Sequence, residues 1–187
     1  MKVIKNKDVI GFRMQLINKL YPGKNLNEYD RKVIEDICRE IGNVWPANYN
    51  SPGQLVISGK KEAVEQAAAK IKQAGAKRVI PLAVSAPFHS PLMGPAADKL
   101  AEVLGKIELR DATLPFICNV TADYVSSGKE IRELLIRQVT SPVLWEDSVR
   151  KMVKDGVDKF IEVGPGKVVS GLIKAIDPEV DARSYAD

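Results

Sequence analysis

One side chain in the sequence titrates near neutral pH at its ordinary pKa, and it is His89. It lies in Ser85-Ala86-Pro87-Phe88-His89-Ser90-Pro91, where prolines stiffen the backbone on both sides. A stiff loop suits a fixed general base. It suits a loop histidine without function as well, and the residues alone leave both readings open. A base also needs a nucleophile to activate. The strained Gly-x-Ser-x-Gly turn that exposes a serine at a strand end occurs nowhere in the 187 residues. Ser58 and Ser170 each precede a glycine but lack the one two positions earlier. Ser85 and Ser90 neighbour His89, and adjacent loop side chains rarely reach nucleophile–base geometry. They read as turn-forming hydroxyls.

Other chemistry is poorly served. Gly164-Pro165-Gly166-Lys167 lacks the phosphate-loop spacing, because Ile161 stands five residues before Gly166 and Val168 follows the lysine. It reads as a strand-to-helix turn, a type that often faces a cleft beyond the carboxyl ends of strands. Glu162 and Lys167 read as surface charges beside it, and Glu146 and Asp147 as charges at a helix N-terminus. With one histidine and two distant cysteines, Cys38 and Cys118, no Cys/His metal cluster is expected. Both cysteines fall in apolar patterns and are expected to be small core residues in a reducing compartment.

The elements that must position these residues follow from periodicity. Val9, Ile10, Phe12, Leu16, Ile17 and Leu20 fit one helical face, so a helix is expected there, stopped by Tyr21-Pro22-Gly23. Asp30 is placed to cap a second helix carrying Val33, Ile34, Ile37, Cys38 and Ile41, which Gly42 ends. Strands are expected at 44–49 and 54–58 around the turn Asn50-Ser51-Pro52-Gly53, a helix at 61–74, and a strand at 77–84. This run lacks one leading strand of the βαββαβ order of a ferredoxin-like module. Beyond the proline-rich 85–95 come a helix at 97–107, with Leu100, Val103, Leu104 and Ile107 inward, and a strand at 114–120. Helices at 131–139 and 144–156, a strand at 158–163 and a helix at 167–176 follow. That alternation predicts a piece of a parallel sheet covered by helices.

Composition narrows the class. Apolar residues make up 45% of the chain, enough for a core, and charged residues 28%. No apolar run approaches the roughly 18–20 residues of a membrane helix, and MKVIKNKDVI is not a secretory leader, so a cytoplasmic protein is expected. The net charge of +4 is spread among acids with few aromatics. That disfavours nucleic acid as a partner and suits an acidic protein.

Four co-linear segments carry a resemblance. Trp45 to Gly59, through Pro46-Ala47-Asn48-Tyr49-Asn50-Ser51-Pro52-Gly53, resembles the hairpin of the malonyl-CoA:acyl-carrier-protein transacylases of fatty-acid synthesis. Pro81 to Met93 is similar to their catalytic-histidine loop, Arg137 to Trp145 to a later segment, and Glu162 to Val168 to their last strand turn. The similarity covers residues 30–185.

The resemblance implies malonyl transfer through a serine ester, from malonyl-CoA to the phosphopantetheine thiol of acyl carrier protein. His89 matches the histidine that deprotonates serine and thiol, and Gln138 the glutamine whose carbonyl orients it. Phe88 resembles the bulky neighbour that favours malonyl units, and Asn48 and Asn50 match positions near the substrate. No cofactor of the chain's own and no metal are implied. The family's serine elbow, its malonyl-binding arginine and its oxyanion-hole glutamine precede the hairpin, and residues 1–29 match none of them. The chain therefore resembles a C-terminal portion, expected to be inactive alone. A complementing N-terminal half or self-association is the expected remedy.

The implied fold is α/β with an α+β insert. It has an unassigned segment at 1–29, a ferredoxin-like subdomain at 30–85, and part of an α/β-hydrolase-like acyltransferase subdomain at 86–187. Two other readings stand beside it. One is a non-catalytic ferredoxin-like module that docks acyl carrier protein or another acidic partner; the other is an unrelated small-molecule-binding αβ domain.

Overall fold

The computed structural model of the chain describes residues 11–17 and 28–185. Its most explicit local instruction is Pro52-Gly53. Proline presets the first turn residue, and Gly53 takes the φ of +87° that the next position of a type II turn requires. β2 (Val44–Ser51) and β3 (Gln54–Lys60) therefore fold back on each other, with Ser51 opposite Gln54. Pro46 has no N–H for a ladder. It sits at a register shift on β2, an edge strand, where that lack costs least.

The helix expected across 9–20 is corrected. Gly11–Ile17 is a strand, β1, antiparallel to both β3 and β4 (Arg78–Leu82); the flanking positions of that expectation lie outside the described residues. The sheet order is β2-β3-β1-β4. The sequence Phe-Arg-Met-Gln-Leu also alternates with the period of a strand, and over so short a run the two periods compete. Tertiary context decides, because β3 and β4 each offer β1 an open hydrogen-bonding edge. The βαββαβ order is thus complete, with its leading strand drawn from the segment that sequence alone left unassigned.

α1 (Glu28–Ile41) and α2 (Lys61–Gln73) supply the two helices. Asp30 lies inside α1 rather than at its cap. Gly42, at φ +70°, ends the helix as expected, its N–H donating to the Cys38 carbonyl at 3.0 Å. Ile34 and Cys38 of α1 and Val64, Ala67, Ala68 and Ile71 of α2 bury against Val44, Leu55 and Ile57. Gly59 lets the turn between α1 and β2 cross the sheet, since a Cβ there would fall 2.2 Å from the Asn43 carbonyl oxygen.

The remainder is assembled differently. A 3₁₀ turn (Pro91–Met93) leads into α3 (Gly94–Leu104). α3 stops before Ile107, and Val103 and Ile107, expected inward, are exposed. The strand expected at 114–120 shortens to β5 (Phe116–Cys118). It pairs antiparallel with β6 (Asp123–Val125) rather than joining a parallel sheet. Cys118, Val120, Val125 and Leu134 of α4 (Gly128–Gln138) form a small core beside this hairpin.

A parallel pair does form at the end of the chain. β7 (Lys159–Val163) and β8 (Asp181–Tyr185) are joined through α6 (Val168–Ile176), which packs with α5 (Trp145–Lys154) around Val149, Ile173 and Ile176. Glu162 is more than a surface charge: it accepts the N–H groups of Val169 at 3.1 Å and Ser170 at 2.8 Å. These bonds, that of Ser170 foremost, hold its carboxyl below the usual glutamate range.

Both parts are joined at β2. The Tyr49 N–H donates to the Val143 carbonyl and the Val143 N–H to that of Ala47, each at 2.9 Å. Arg31 of α1 reaches the first turn of α5, donating to Glu146 at 2.7 Å and to Asp147 at 3.0 Å. Among the described residues no helix is long and apolar enough to cross a membrane.

Candidate active site

The residues around His89 fix its main chain first. Pro87 and Ser90 are fully buried, and the Ser90 hydroxyl donates to the Pro87 carbonyl at 2.7 Å, the turn-forming role expected of it. The Met93 N–H closes the next turn onto the Ser90 carbonyl at 3.0 Å. Between these anchors His89 adopts φ +59°, in the left-handed region. Such a conformation costs a non-glycine residue about 1–3 kcal/mol and persists where its surroundings enforce it. The ring is half-buried.

The ring is then fixed by the end of α4. His89 Nδ1 lies 2.9 Å from the main-chain carbonyl oxygen of Gln138. A carbonyl oxygen only accepts, so Nδ1 carries the proton and Nε2 is left with the lone pair. The orienting group is the main-chain carbonyl of Gln138. Its side-chain Nε2 lies 3.5 Å from Nδ1, where two donors would face each other, and bonds better to the Ser141 carbonyl at 3.0 Å. With a longer bond to Pro142 at 3.4 Å, the side chain pins the reversal after α4. Next along that reversal comes Val143, which pairs with β2, so the sheet and the histidine loop share one brace.

Beside His89 lies a cleft of about 580 Å³ lined by Trp45, Pro46, Tyr49, Cys38, Arg39, Pro91, Thr140, Ser141 and Pro142 among others. Burial, with Glu35 adding to it, pushes the Cys38 thiol up to about 12, so it is no nucleophile at neutral pH. Tyr49 donates to Glu35 at 2.6 Å, and burial above all raises its pKa. The three residues matched to substrate contacts adjoin in sequence two residues that line this cleft, Phe88 next to His89 and Asn48 and Asn50 on either side of Tyr49. Asn48 lies on β2 bridged to Val143, Asn50 lies at the second register shift of that strand, and Phe88 is 39% exposed. None of them lines it. Ser58 is buried in β3, and the Ser170 hydroxyl donates to the Lys167 carbonyl at 3.3 Å. Among the described residues no group of three His, Cys, Asp or Glu could hold a metal.

The acyl transferase domain family matches residues 7–185 of the chain. The chain belongs to that family. A malonyl CoA-acyl carrier protein transacylase of Bacillus subtilis is 49% identical over 157 residues, 83% of this chain and 50% of the relative. An acyl carrier protein S-malonyltransferase from Vibrio cholerae superposes with a TM-score of 0.86 at 40% identity, over 95% of this chain and 56% of that one. A malonyl-transacylase in complex with a type II PKS acyl-carrier protein superposes with a TM-score of 0.82 at 40% identity, over 95% and 54%. The chain thus spans about half the length of the acyl transferase relatives it matches.

Sequence reasoning missed the brace. Ser141-Pro142 was legible as a helix stop, but nothing in the residues shows that Val143 completes the edge of β2, or that Arg31 is held by Glu146 and Asp147.

Proposed function

We propose that this chain supplies the histidine half of a malonyl transfer from malonyl-CoA to the phosphopantetheine thiol of acyl carrier protein. Its βαββαβ unit is read as a ferredoxin-like subdomain, and residues from 86 onward as part of an α/β-hydrolase-like acyltransferase subdomain. The observation that carries the reading is the 2.9 Å contact of His89 Nδ1 with the Gln138 carbonyl, which leaves Nε2 as the base. The nucleophilic serine comes from outside these 187 residues. His89 Nε2 takes the hydroxyl proton as the serine oxygen attacks the malonyl thioester carbonyl. The thioester C–S bond breaks, and the proton passes to the departing CoA sulfur. In the second half-reaction His89 takes the proton of the phosphopantetheine thiol, whose sulfur attacks the malonyl ester. The serine oxygen leaves and regains the proton. The basic surface of the chain suits an acidic carrier protein.

Intact-mass spectrometry of the chain with malonyl-CoA and holo acyl carrier protein tests this. Alone, the chain is expected to gain no malonyl adduct. With a polypeptide carrying the rest of the domain, malonyl is expected on that polypeptide and then on the carrier. A malonyl adduct on the 187-residue chain would refute the division of labour. Carrier binding without transfer, even beside the complementing polypeptide, would turn the reading into a docking module.

A further inference from the structure

Glu146, in the first turn of α5, is a carboxylate only 6% exposed, and each of its oxygens has a guanidinium. Arg150, one turn on, donates to Oε1 at 2.8 and 2.9 Å, and Arg31 of α1 donates to Oε2 at 2.7 Å. The other arm of the Arg31 fork takes both oxygens of Asp147, at 3.0 and 3.1 Å. The same guanidinium lies 4.9 Å from the centroid of the Tyr49 ring, a cation–π distance. Tyr49 is held at both ends, its hydroxyl by Glu35 and its main-chain N–H by the Val143 carbonyl. It also lines the cleft that His89 faces. Desolvation of a buried carboxylate offsets most of the attraction of its partners, so such a cluster contributes geometry more than net stability. A two-armed arginine fixes that geometry better than a point charge does.

We infer that, on the reading above that makes His89 the base, Arg31 is a positioning residue for it. By holding the first turn of α5 and the Tyr49 ring against α1, Arg31 sets where the Gln138 carbonyl meets the imidazole. The segment from Gln138, the last residue of α4, to Trp145, the first of α5, is a short span supported along its length. At the α4 end it meets His89 Nδ1 at 2.9 Å. In the middle Val143 pairs with β2 through both its main-chain groups, and the Leu144 N–H donates to the Asn119 carbonyl at 2.8 Å. At the α5 end Arg31 ties it to α1. A hydrogen bond weakens steeply as its angle and length depart from the optimum, so a small shift of this span is enough to change the one at Nδ1. Without the fork the α5 end is released from Arg31, and Glu146 keeps Arg150 as its cation.

His89 is the only histidine in the sequence, so the ring-nitrogen resonances of the isotopically labelled full chain read this bond directly. Measured where the imidazole is neutral, they give the ratio of the tautomer protonated on Nδ1 to that protonated on Nε2. In the unsubstituted chain the Nδ1–H form should predominate. Arg31→Met is expected to lower the ratio roughly three- to tenfold, the scale of one hydrogen bond. Asp147→Asn, which leaves Glu146 between its two arginines, should lower it in the same direction by less. Lys70→Met removes an ion pair that ties α2 to α1, away from α5, and should leave the ratio unchanged. An intact ratio in folded Arg31→Met, whatever its unfolding midpoint, would overturn the inference and leave Arg31 a structural residue. Should Arg31→Met fail to fold, Asp147→Asn decides, and an intact ratio there would overturn it. A fall of equal size in Lys70→Met would overturn it too. Malonyl transfer does not enter this measurement: the tautomer shift observed, with no transfer in the completed domain, would sink the proposed function and leave the positioning by Arg31 standing.

Discussion

The first four strands and the last two solve the same problem in opposite ways. Around β2, β3 and β4, two helices close one core in which Val44, Tyr49, Leu55 and Ile57 are buried. Around β7 and β8 one face is packed and the other carries Ile161, Val163 and Tyr185 in the open. The antiparallel unit finds its partners within the described residues. The parallel one leaves its second face uncovered among the described residues. The candidate site lies beside the first unit, at the reversal after α4 that carries Gln138 and pairs through Val143 with β2.

The largest stability effect should separate the two regions. Ile57→Ala, at a fully buried position of β3, is expected to cost about 2–5 kcal/mol in denaturant unfolding. Ile161→Ala should stay within about 0.5 kcal/mol. Equal costs would break the comparison. Removing the join is expected to be intermediate. Arg31→Met leaves the Glu146 carboxylate buried with Arg150 as its remaining ion-pair partner, and about 1–2 kcal/mol should be lost, since Arg31 itself is partly exposed. No change would mean that the two parts are held by Val143 and packing alone.

Alkali should act on the first region through Cys38. Its pKa is raised in the fold, so its contribution is complete below the unfolded value of about 8.5 and drains away toward about 12. Between about pH 9 and 10 this thiol should remove up to about 1.4 kcal/mol, and Cys38→Ala should flatten that slope. Glu162 works in the opposite direction in the last region. Its pKa is lowered, so its contribution is present above the ordinary glutamate value and is lost as pH falls through the depressed one. Glu162→Gln should lower the thermal midpoint slightly at neutral pH, and the gap should close in acid.

Much of this was legible in the sequence where local chemistry decides. Pro52-Gly53 fixed a turn, the stripe from Val33 to Ile41 a helix, and the alanines of 61–74 another. β1 was not legible, because five alternating residues inside a longer helical spacing carry both periods. Nor was β8: Asp-Ala-Arg-Ser-Tyr has no strand pattern of its own and is extended because β7 pairs with it. The stripe of Val103 and Ile107 misled for a related reason, since periodicity shows which side chains want cover and not whether cover is present. Of the candidate site, His89 and Gln138 were found through the family resemblance and meet in space. That the main-chain carbonyl does the orienting depends on where α4 ends.

The sharpest test is the rate of malonyl transfer to carrier protein by the chain joined with the missing part of the domain, measured for three forms. Against the unsubstituted chain, His89→Ala should lose at least about 10³-fold, as for removal of a general base. Gln138→Ala keeps the main-chain acceptor and should lose less than about tenfold, at the scale of a single hydrogen bond. Transfer that survives in His89→Ala, or falls as far in Gln138→Ala, would contradict the account of an imidazole held by a main-chain carbonyl.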